Sequence, residues 1–246
     1  MEIKNFDCSV EYDKLAEMYD SYYCPTWPLD DNIQGLVDYL KTWSGGDKIL
    51  EVGIGTGNVA GKLYLEGYHN ITGIDASENM TGRLKYKCPK AKLIIENLND
   101  TKFYNYDWVL MISGVTERVE HKQDFFQKVF DQADEGMKLF IDIDADEEYK
   151  PIEEVDPTRD QCYEFFNHKR NVHVKCEYRQ HTPSHHSGMY TYTNADTNQT
   201  IHYKFSKWEI TQKDMINLMQ EIGFKNIAIG LAEDTGYYQD ILVFEK

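Results

Sequence analysis

Short apolar runs alternate with amphipathic segments along the first part of the chain. Five runs have the length and composition of β-strands, at residues 49–52, 70–75, 91–95, 107–112 and 137–143. Residues 116–133 place their apolar side chains at helical spacing, and helices are also predicted after the first two runs. The run 107–112 is typical of a parallel strand that is buried on both faces. The pattern therefore predicts an α/β fold built on a parallel sheet.

The pattern changes after residue 144. Aromatic and polar residues alternate at 171–180, 188–193 and 200–208, which predicts antiparallel strands with a hairpin turn at 194–198. These strands belong to an inserted β-ribbon, assigned to residues 165–208, between the fifth strand and the final helix. That helix begins after Thr211, a candidate N-cap, and ends at Gly223. Residues 227–232 and 239–244 then predict two further strands.

The first apolar run leads directly into a glycine-rich turn. Gly53, Gly55 and Gly57 follow residues 49–52 and precede a predicted helix. Glycine accepts positive φ and lets a ligand approach the backbone, because it has no Cβ. Such a turn between strand and helix is typical of a site for a nucleotide-like cofactor. The dinucleotide fingerprint G-x-G-x-x-G is not matched, since these glycines alternate and the next, Gly61, comes late.

An acidic residue ends the second apolar run. Asp75 follows the glycine turn by about 20 residues, and a carboxylate at this place can accept hydrogen bonds from both hydroxyls of a ribose. Ser77 is a candidate N-cap for the helix that comes next. Together, the turn and Asp75 favour a ligand site over a tight strand-to-helix connection that binds nothing.

Glu51, the alternating glycines and Asp75 resemble the motifs of class I S-adenosylmethionine (SAM) dependent methyltransferases. The resemblance implies a Rossmann-like seven-stranded sheet with an antiparallel last strand, completed here by the β-ribbon insertion. It also implies SAM as cofactor, with S-adenosylhomocysteine (SAH) as product. Small-molecule enzymes of this kind include the glycine N-methyltransferase and amino-sugar N-methyltransferase groups. The cofactor-binding residues that it implies are Glu51, Gly53, Gly55, Gly57, Asp75, Ala76, Met80, Asn97, Leu98 and Ser113.

Two positions depart from the family pattern. Asn97 stands where an acid usually accepts a hydrogen bond from the adenine amino group, and its side-chain oxygen retains that capacity. Arg118 stands where a histidine is usual, so no histidine role can be assigned there. His121 is expected on the surface of the helix predicted at 116–133.

The amino-terminal segment resembles helices that many of these enzymes fold over the cofactor. Residues 1–44 are assigned to it, and the whole chain, 1–246, is predicted to be one methyltransferase domain. Tyr12 and Tyr19 are seven residues apart and share a helix face, so each either lines the methyl-transfer site or packs on the core. They are the candidate catalytic residues. The ribbon at 165–208 is expected either to roof the acceptor site or to form a dimer interface.

Composition narrows the list of partners. The 246 residues carry a formal charge of −16, which disfavours nucleic acid and anionic membranes as partners. No run of about 18 apolar residues and no signal-peptide pattern occurs, so a cytoplasmic protein is expected. The five cysteines lack a C-x-x-C motif, which favours reduced thiols. The histidines of the ribbon lack ligand spacing, so no metal site is expected.

The cofactor dictates the chemistry. Methyl transfer from a sulfonium is an in-line displacement that depends mainly on alignment of the reactants. A neutral amine needs only its lone pair, whereas a hydroxyl generally needs a base, so the lack of a clear base favours N-methylation of a small-molecule acceptor. O-methylation with a histidine of the ribbon as base stays open. So do a non-catalytic SAM-binding protein, an NAD-dependent oxidoreductase, and the choice between monomer and homodimer.

Overall fold

The computed structural model describes residues 7–144, 161–168 and 171–246, which form two β-sheets and eight α-helices. The strands are β1 Ile49–Val52, β2 Ile71–Asp75, β3 Lys92–Ile95, β4 Trp108–Met111, β5 Lys138–Ile143, β6 Gln161–Asn167, β7 Val172–Thr182, β8 His185–Asn194, β9 Thr200–Trp208, β10 Lys225–Gly230 and β11 Asp240–Glu245. The helices are α1 Cys8–Tyr23, α2 Asp31–Lys41, α3 Asn58–Leu65, α4 Glu78–Thr81, α5 Leu84–Lys87, α6 Lys122–Gln132, α7 Gln212–Ile222 and α8 Ala232–Thr235. Residues 1–6 of the predicted amino-terminal segment and 169–170 of the predicted ribbon lie outside these ranges.

The larger sheet has seven strands in the order β10-β11-β5-β4-β1-β2-β3. The five strands β1 to β5 are parallel, because β1 pairs with β2 and β4, β2 with β3, and β4 with β5 in the same direction. The last strand, β11, runs antiparallel to both of its neighbours, β5 and β10. The seven-stranded sheet with an antiparallel last strand is therefore confirmed. Its parallel strands present their carboxyl ends at one edge, where ligands bind in sheets of this kind.

Helices cover both faces of this sheet and bury its apolar residues. On one face, α6 and α7 pack Phe126 and Met219 against strand residues such as Val109. On the other face, Leu36 of α2 and Leu63 of α3 pack against buried side chains of the strands. Burial on both faces explains why the inner parallel strands β1, β4 and β5 read as apolar runs, whereas β3 at the edge is largely exposed. Within the described residues, none of the helices has the length and apolarity needed to cross a bilayer.

The smaller sheet is antiparallel, in the order β6-β7-β8-β9. The three predicted strands and the hairpin turn are confirmed, and Asn194 closes the turn by accepting hydrogen bonds from the Asp196 and Thr197 amides. The prediction missed β6, which begins ahead of the assigned ribbon. Among the described strands, β6 pairs only with β7, and its side chains lack the clean alternation of a half-buried strand.

The helix predicted over residues 116–133 is wrong at its amino-terminal end. A single 3-10 turn, Thr116–Arg118, comes first, and α6 begins only at Lys122. Val119 is extended between them, with φ −89° and ψ 106°. The side chain of Arg118 donates to the carbonyl of Ser206 in the smaller sheet, a tertiary contact that the apolar spacing does not encode. His121 consequently lies directly before α6 as its N-cap residue, and it is exposed, as predicted.

Helix α1 lies between the two sheets. Its Leu15 is buried in a cluster with Val174, Cys176 and Phe205 of the smaller sheet. Buried Glu11 accepts a hydrogen bond from the backbone of Lys204 in β9 at 2.9 Å. On its other side, α1 contacts α4, which follows β2 at the carboxyl edge of the larger sheet. Residues of α1 are thus brought to the edge where the glycine turn lies.

Candidate functional site

A cavity of about 480 Å³ opens at the carboxyl ends of β1, β2 and β4. It brings together most of the residues that the sequence predicts for cofactor binding, and both candidate catalytic tyrosines. These are Tyr12, Tyr19, Gly53, Gly55, Asp75, Ala76, Met80, Asn97, Leu98 and Ser113. Glu51 and Gly57 are not among its lining residues. We refer to this space as the cofactor cavity.

The glycine turn has three residues with positive φ, at +70° for Gly53, +53° for Gly55 and +79° for Gly57. Within the described ranges, a Cβ added to Gly55 would approach only the flexible end of Met80, at 3.3 Å, and the Gly53 carbonyl, at 3.9 Å. A Cβ at Gly57 would instead lie 2.3 Å from a methyl of Leu84. Gly55 therefore keeps the cavity open, whereas Gly57 allows α3 and α5 to pack.

Asp75 is held at the end of β2 by backbone amides. Its two oxygens accept hydrogen bonds from Gly55 and Ser77, each at 2.8 Å. Burial raises the pKa of Asp75, and hydrogen bonds from the Ser77, Gly55 and Ala76 backbones oppose that rise. The carboxylate is thus fixed against the glycine turn and faces the cofactor cavity, where its remaining lone pairs fit ribose hydroxyls.

Asp75→Ala is expected to weaken SAH binding by about 1 to 3 kcal/mol, because charge-assisted hydrogen bonds to the ribose are lost. Calorimetric titration with SAH measures this effect. Asp75→Asn is the matched control, since it retains one acceptor oxygen and should lose less affinity than the alanine variant. Full SAH affinity in folded Asp75→Ala would contradict the assignment.

Glu51 lies beneath the glycine turn in the central strand β1. It is only 5% exposed, and in the described structure its Oε2 atom has no hydrogen-bond partner. Burial raises the pKa of Glu51 to about 8, although a hydrogen bond from the Ala60 backbone lowers it. Glu51 does not line the cofactor cavity, so its contact with a cofactor stays a prediction.

Glu51→Gln is expected to reduce the pH dependence of stability. A carboxyl whose pKa rises on folding binds more protons in the native state, so wild-type stability falls as pH increases between about 4.5 and 8. The glutamine variant should shrink the difference in unfolding free energy between pH 5 and pH 8 by about 1 to 3 kcal/mol. Urea unfolding measures this difference, with exposed Glu135→Gln as control. An unchanged difference would rule out a raised pKa.

An acidic residue that was not predicted as a cofactor ligand lies at the end of β3. Asn97 lines the cofactor cavity, but its side-chain oxygen accepts a hydrogen bond from the Asn99 amide at 3.0 Å. Glu96, directly before it, also lines the cavity. A carboxylate is the stronger acceptor for an amino group. In the sequence, an acid at the end of this strand was indicated by Glu96, directly before Asn97. Only the fold shows that both residues reach the cavity.

Helix α1 is attached to the cofactor cavity by two aspartates. Asp13 accepts hydrogen bonds from the Ser77 hydroxyl at 2.5 Å and the Asn79 amide at 3.0 Å. Asp20 accepts from the Thr56 hydroxyl at 2.6 Å and pairs with Lys87 at 2.9 Å. These bonds join α1 to the glycine turn and to α4, so Tyr12 and Tyr19 are held over the cavity.

A second cavity, of about 440 Å³, lies on the other side of the two tyrosines. The two cavities share five lining residues, Tyr12, Tyr19, Ser113, Gly114 and Arg118. The second cavity extends toward the smaller sheet and toward the segment before β11. We refer to it as the acceptor cavity, because a molecule in it would meet a cofactor at this shared wall.

Arg118 connects three parts of the structure at the shared wall. Its guanidinium donates to the hydroxyls of Tyr12 and Tyr203, both at 3.2 Å, and to the carbonyl of Ser206 at 3.1 Å. It thereby joins α1, β9 and the turn after β4. Arg118 departs from the family pattern in sequence, but its role could not be predicted because its partners are distant in the chain.

Ser113 and Gly114 form the turn that separates the two cavities. Both have positive φ, at +66° and +72°. Buried Asp142 of β5 accepts hydrogen bonds from the Gly114 amide at 3.2 Å and from the Tyr237 hydroxyl at 3.1 Å, and also from the Ser113 amide. Burial raises the pKa of Asp142 to about 7, and these hydrogen bonds oppose the rise. Asp142 therefore stabilises a backbone conformation that lines both cavities.

Carboxylates outnumber cations in the wall of the acceptor cavity. Glu117 is paired with Lys207 at 2.7 Å, and Lys207 lowers its pKa against the effect of burial. Asp144 accepts a hydrogen bond from Gln239, and Asp30 caps α2. Neither of these two aspartates forms an ion pair with any described residue. With Arg118 and Lys207 as its cations, the described wall of the acceptor cavity has one more carboxylate than cations.

Comparison with known proteins identifies part of the chain. Residues 49–136 match a family model described as a methyltransferase domain. This region holds the glycine turn, Asp75, Asn97 and Ser113. No curated protein sequence matches the chain.

Solved structures share the fold over nearly the whole chain. The CcbJ methyltransferase from Streptomyces caelestis has a TM-score of 0.78 at 12% identity, covering 98% of this chain and 99% of its own. A SAM-dependent methyltransferase from Clostridium acetobutylicum has a TM-score of 0.72 at 14% identity, with 95% and 98% covered. SAM-bound CalS10, an amino pentose methyltransferase from Micromonospora echinaspora, has a TM-score of 0.64 at 11% identity, with 100% of both chains covered. Identities this low show the fold alone, and that fold is the one that the resemblance implies.

Proposed function

We propose that this chain, which carries a methyltransferase domain in the fold of the SAM-dependent methyltransferases, transfers the methyl group of SAM to an amine nitrogen of a small-molecule acceptor. The observation that supports this most directly is the pair of cavities that meet at Tyr12, Tyr19, Ser113, Gly114 and Arg118. One cavity contains the glycine turn and Asp75, and the other is open to a second reactant. Two separate sites with one shared wall suit a transfer between two bound molecules.

The proposed transfer is a single displacement. The nitrogen lone pair attacks the methyl carbon, the N–C bond forms as the S–C bond breaks, and the bonding pair returns to sulfur. SAM thereby becomes neutral SAH, and the nitrogen takes the positive charge. A proton on that nitrogen then leaves to water or to a carboxylate such as Asp144 in the acceptor cavity. The protein contributes chiefly by holding the two reactants in line.

The side chains of the acceptor cavity support nitrogen over oxygen as the acceptor atom. Burial raises the pKa of Tyr19, Tyr203 and Tyr237 well above the ordinary value, so their hydroxyls stay neutral and are poor bases. None of the described histidines lines this cavity. A hydroxyl acceptor would therefore lack a histidine or phenolate to remove its proton, whereas a neutral amine brings its own lone pair.

Tyr12 and Tyr19 are proposed to orient the reactants. Both line the two cavities, and Tyr12 is fixed by the hydrogen bond from Arg118 at 3.2 Å. Phenol hydroxyls and ring faces at this boundary suit contact with a sulfonium methyl group and with an amine. Their proposed role is positioning within the methyl-transfer site.

The first test is calorimetric titration of the purified protein with SAH, with NAD and ATP as controls. We expect micromolar SAH binding and no comparable binding of the other two. Mass spectrometry of SAM-loaded reactions with matched amines and alcohols then measures transfer. Binding of NAD alone would support an oxidoreductase, and SAH binding without turnover of any acceptor would support a non-catalytic SAM-binding protein. Transfer to alcohols alone would replace the nitrogen assignment with O-methylation.

A further inference from the structure

The acceptor cavity is lined by an unusual share of the tyrosines in this chain. Of 18 tyrosines, seven line this one space. Helix α1 contributes Tyr12, Tyr19 and Tyr23, the smaller sheet contributes Tyr190 and Tyr203, and the segment before β11 contributes Tyr237 and Tyr238. Three regions that are far apart in sequence therefore supply the same side chain to one wall.

Contacts between the rings hold this tyrosine wall together. The rings of Tyr12 and Tyr203 lie 5.3 Å apart, and those of Tyr203 and Tyr190 lie 6.4 Å apart. On the α1 side, Tyr19 and Tyr23 are separated by 4.8 Å. Centroid distances in this range are typical of favourable aromatic pairs. The wall is thus preorganised by α1 and the smaller sheet.

The charge in the same cavity favours a cation. Three carboxylates and two cations line it, namely Asp30, Glu117, Asp144, Arg118 and Lys207. The Glu117 carboxylate is balanced by Lys207, while Arg118 keeps its positive charge and lies over the Tyr12 ring. Asp30 and Asp144 have no cationic partner among the residues that the structure describes. A ligand with a positive charge would meet both carboxylates and tyrosine side chains, whose rings attract cations through cation–π contacts.

Aromatic walls discriminate among ammonium groups. A primary ammonium is compact and strongly hydrated, and its three N–H groups favour hydrogen-bond acceptors. Alkyl groups replace N–H bonds and make the cation larger and less hydrated, so ring faces suit it better; quaternary ammonium ligands are recognised in this way in aromatic cages. A cavity lined by seven tyrosines therefore suits an alkylated ammonium better than a primary one.

Building on the proposed N-methyl transfer, we infer that the acceptor cavity binds alkylammonium groups, and that the acceptor is an amine which already carries alkyl substituents. Each methyl group added makes the nitrogen a better match for the tyrosine wall. The product of one transfer therefore remains a ligand of the same cavity. If it still carries an N–H group, loss of that proton restores a lone pair, and the amine is then a substrate for another transfer.

The test uses the SAH-loaded protein and small probes of matched shape. Choline is compared with 3,3-dimethylbutan-1-ol, which replaces the nitrogen by carbon and has no charge, and with ethanolamine, which has no methyl groups. Titration calorimetry at constant ionic strength measures each affinity. We expect choline to bind at least about 10-fold more tightly than either of the other probes, equivalent to about 1.4 kcal/mol. Equal binding of choline and its neutral isostere, or no binding of choline, would overturn the inference.

Tyrosine variants locate the choline site. Tyr190→Leu should weaken choline binding at least about fivefold, while Tyr190→Phe keeps the ring and should retain it. Tyr238 is 56% exposed, so Tyr238→Leu provides a second variant that does not disturb the core. Tyr86→Leu, at a residue that is 77% exposed and outside the cavity, is the control. Choline affinity unchanged in both Tyr190→Leu and Tyr238→Leu would overturn the assignment to this wall.

Titration of the same samples with SAH distinguishes failure of the alkylammonium site from failure of the proposed methyl transfer. Wild-type protein that binds SAH and fails to select choline would refute only the alkylammonium site. Wild-type protein that does not bind SAH would refute the proposed methyl transfer, together with the acceptor class inferred from it. In the variants, unchanged SAH affinity shows that the cofactor cavity and the fold are intact.

Discussion

Replacing Gly55 by leucine is expected to abolish SAH binding while the protein stays folded. The added side chain points into the cofactor cavity, since a Cβ at this position meets only the end of Met80 and one backbone oxygen among the described atoms. The space required by the ligand would then be occupied. We expect a loss of at least about 100-fold in SAH affinity, equivalent to about 2.8 kcal/mol, measured by calorimetry.

The matched control for this variant is Gly136→Leu. Gly136 also has positive φ, at +82°, and a Cβ there would have no described atom within 4 Å. Both substitutions place a side chain in the left-handed region, at a cost of about 1 to 2 kcal/mol. Only Gly55 faces the cavity, so only its variant should lose SAH binding. Similar SAH affinities in the two folded variants would show that the glycine turn is not the cofactor site.

Asp142→Ala is expected to have the largest effect on stability. The substitution removes the acceptor for the Ser113 and Gly114 amides and for the Tyr237 hydroxyl in a buried place. Each buried donor left unpaired costs about 1 to 3 kcal/mol. Because the surrounding structure relaxes in part, we expect the free energy of unfolding to fall by about 3 kcal/mol. We expect Tm to fall by about 6 to 12 °C. Methyl transfer should also decrease, because the turn between the two cavities loses its support.

Asp142→Asn separates the role of hydrogen bonding from that of charge. Because the pKa of Asp142 is raised to about 7, the wild-type side chain is largely protonated at pH 5. Asparagine keeps one acceptor oxygen and should resemble wild type at pH 5 more closely than the alanine variant does. Thermal unfolding at pH 5 and pH 8 measures both variants. An alanine variant with the wild-type Tm would show that the Asp142 hydrogen bonds contribute little to stability.

The cofactor cavity was largely predictable because its main residues are neighbours in sequence. Gly53 and Gly55 adopt positive φ in a turn that directly follows β1, and Asp75 ends the adjacent strand. Parallel pairing of β1 and β2 brings these carboxyl ends together. Periodicity predicts the strands and helices, and the glycine spacing together with Asp75 predicts a ligand at this edge. Glu51 and Gly57 belong to the same motif, yet burial under the turn and contact with Leu84 keep them from the cavity lining.

The acceptor cavity was not predictable in this way. Its wall combines Tyr23 of α1, Tyr190 of β8 and Tyr238 near the end of the chain, and no local pattern relates these positions. The late start of α6, at Lys122 and not at the predicted residue 116, has the same origin, since the partners of Arg118 in the preceding turn are Tyr12, Tyr203 and Ser206. Asp142 reads in sequence as part of a strand, and only its contact with the turn after β4 reveals its function there.

By itself, the sequence determined most of the strand and helix order and the glycine turn, because these depend on side-chain periodicity and on the conformational freedom of glycine. SAM as cofactor was implied by the resemblance of Glu51, the alternating glycines and Asp75 to the class I methyltransferase motifs. The tertiary structure alone decided which side of the turn each residue faces, and that α1 and the smaller sheet enclose a second cavity lined by tyrosines and carboxylates. The reason is physical: burial, ring contacts and long-range hydrogen bonds exist only after distant segments pack, so the chemistry of the acceptor site is a property of the fold.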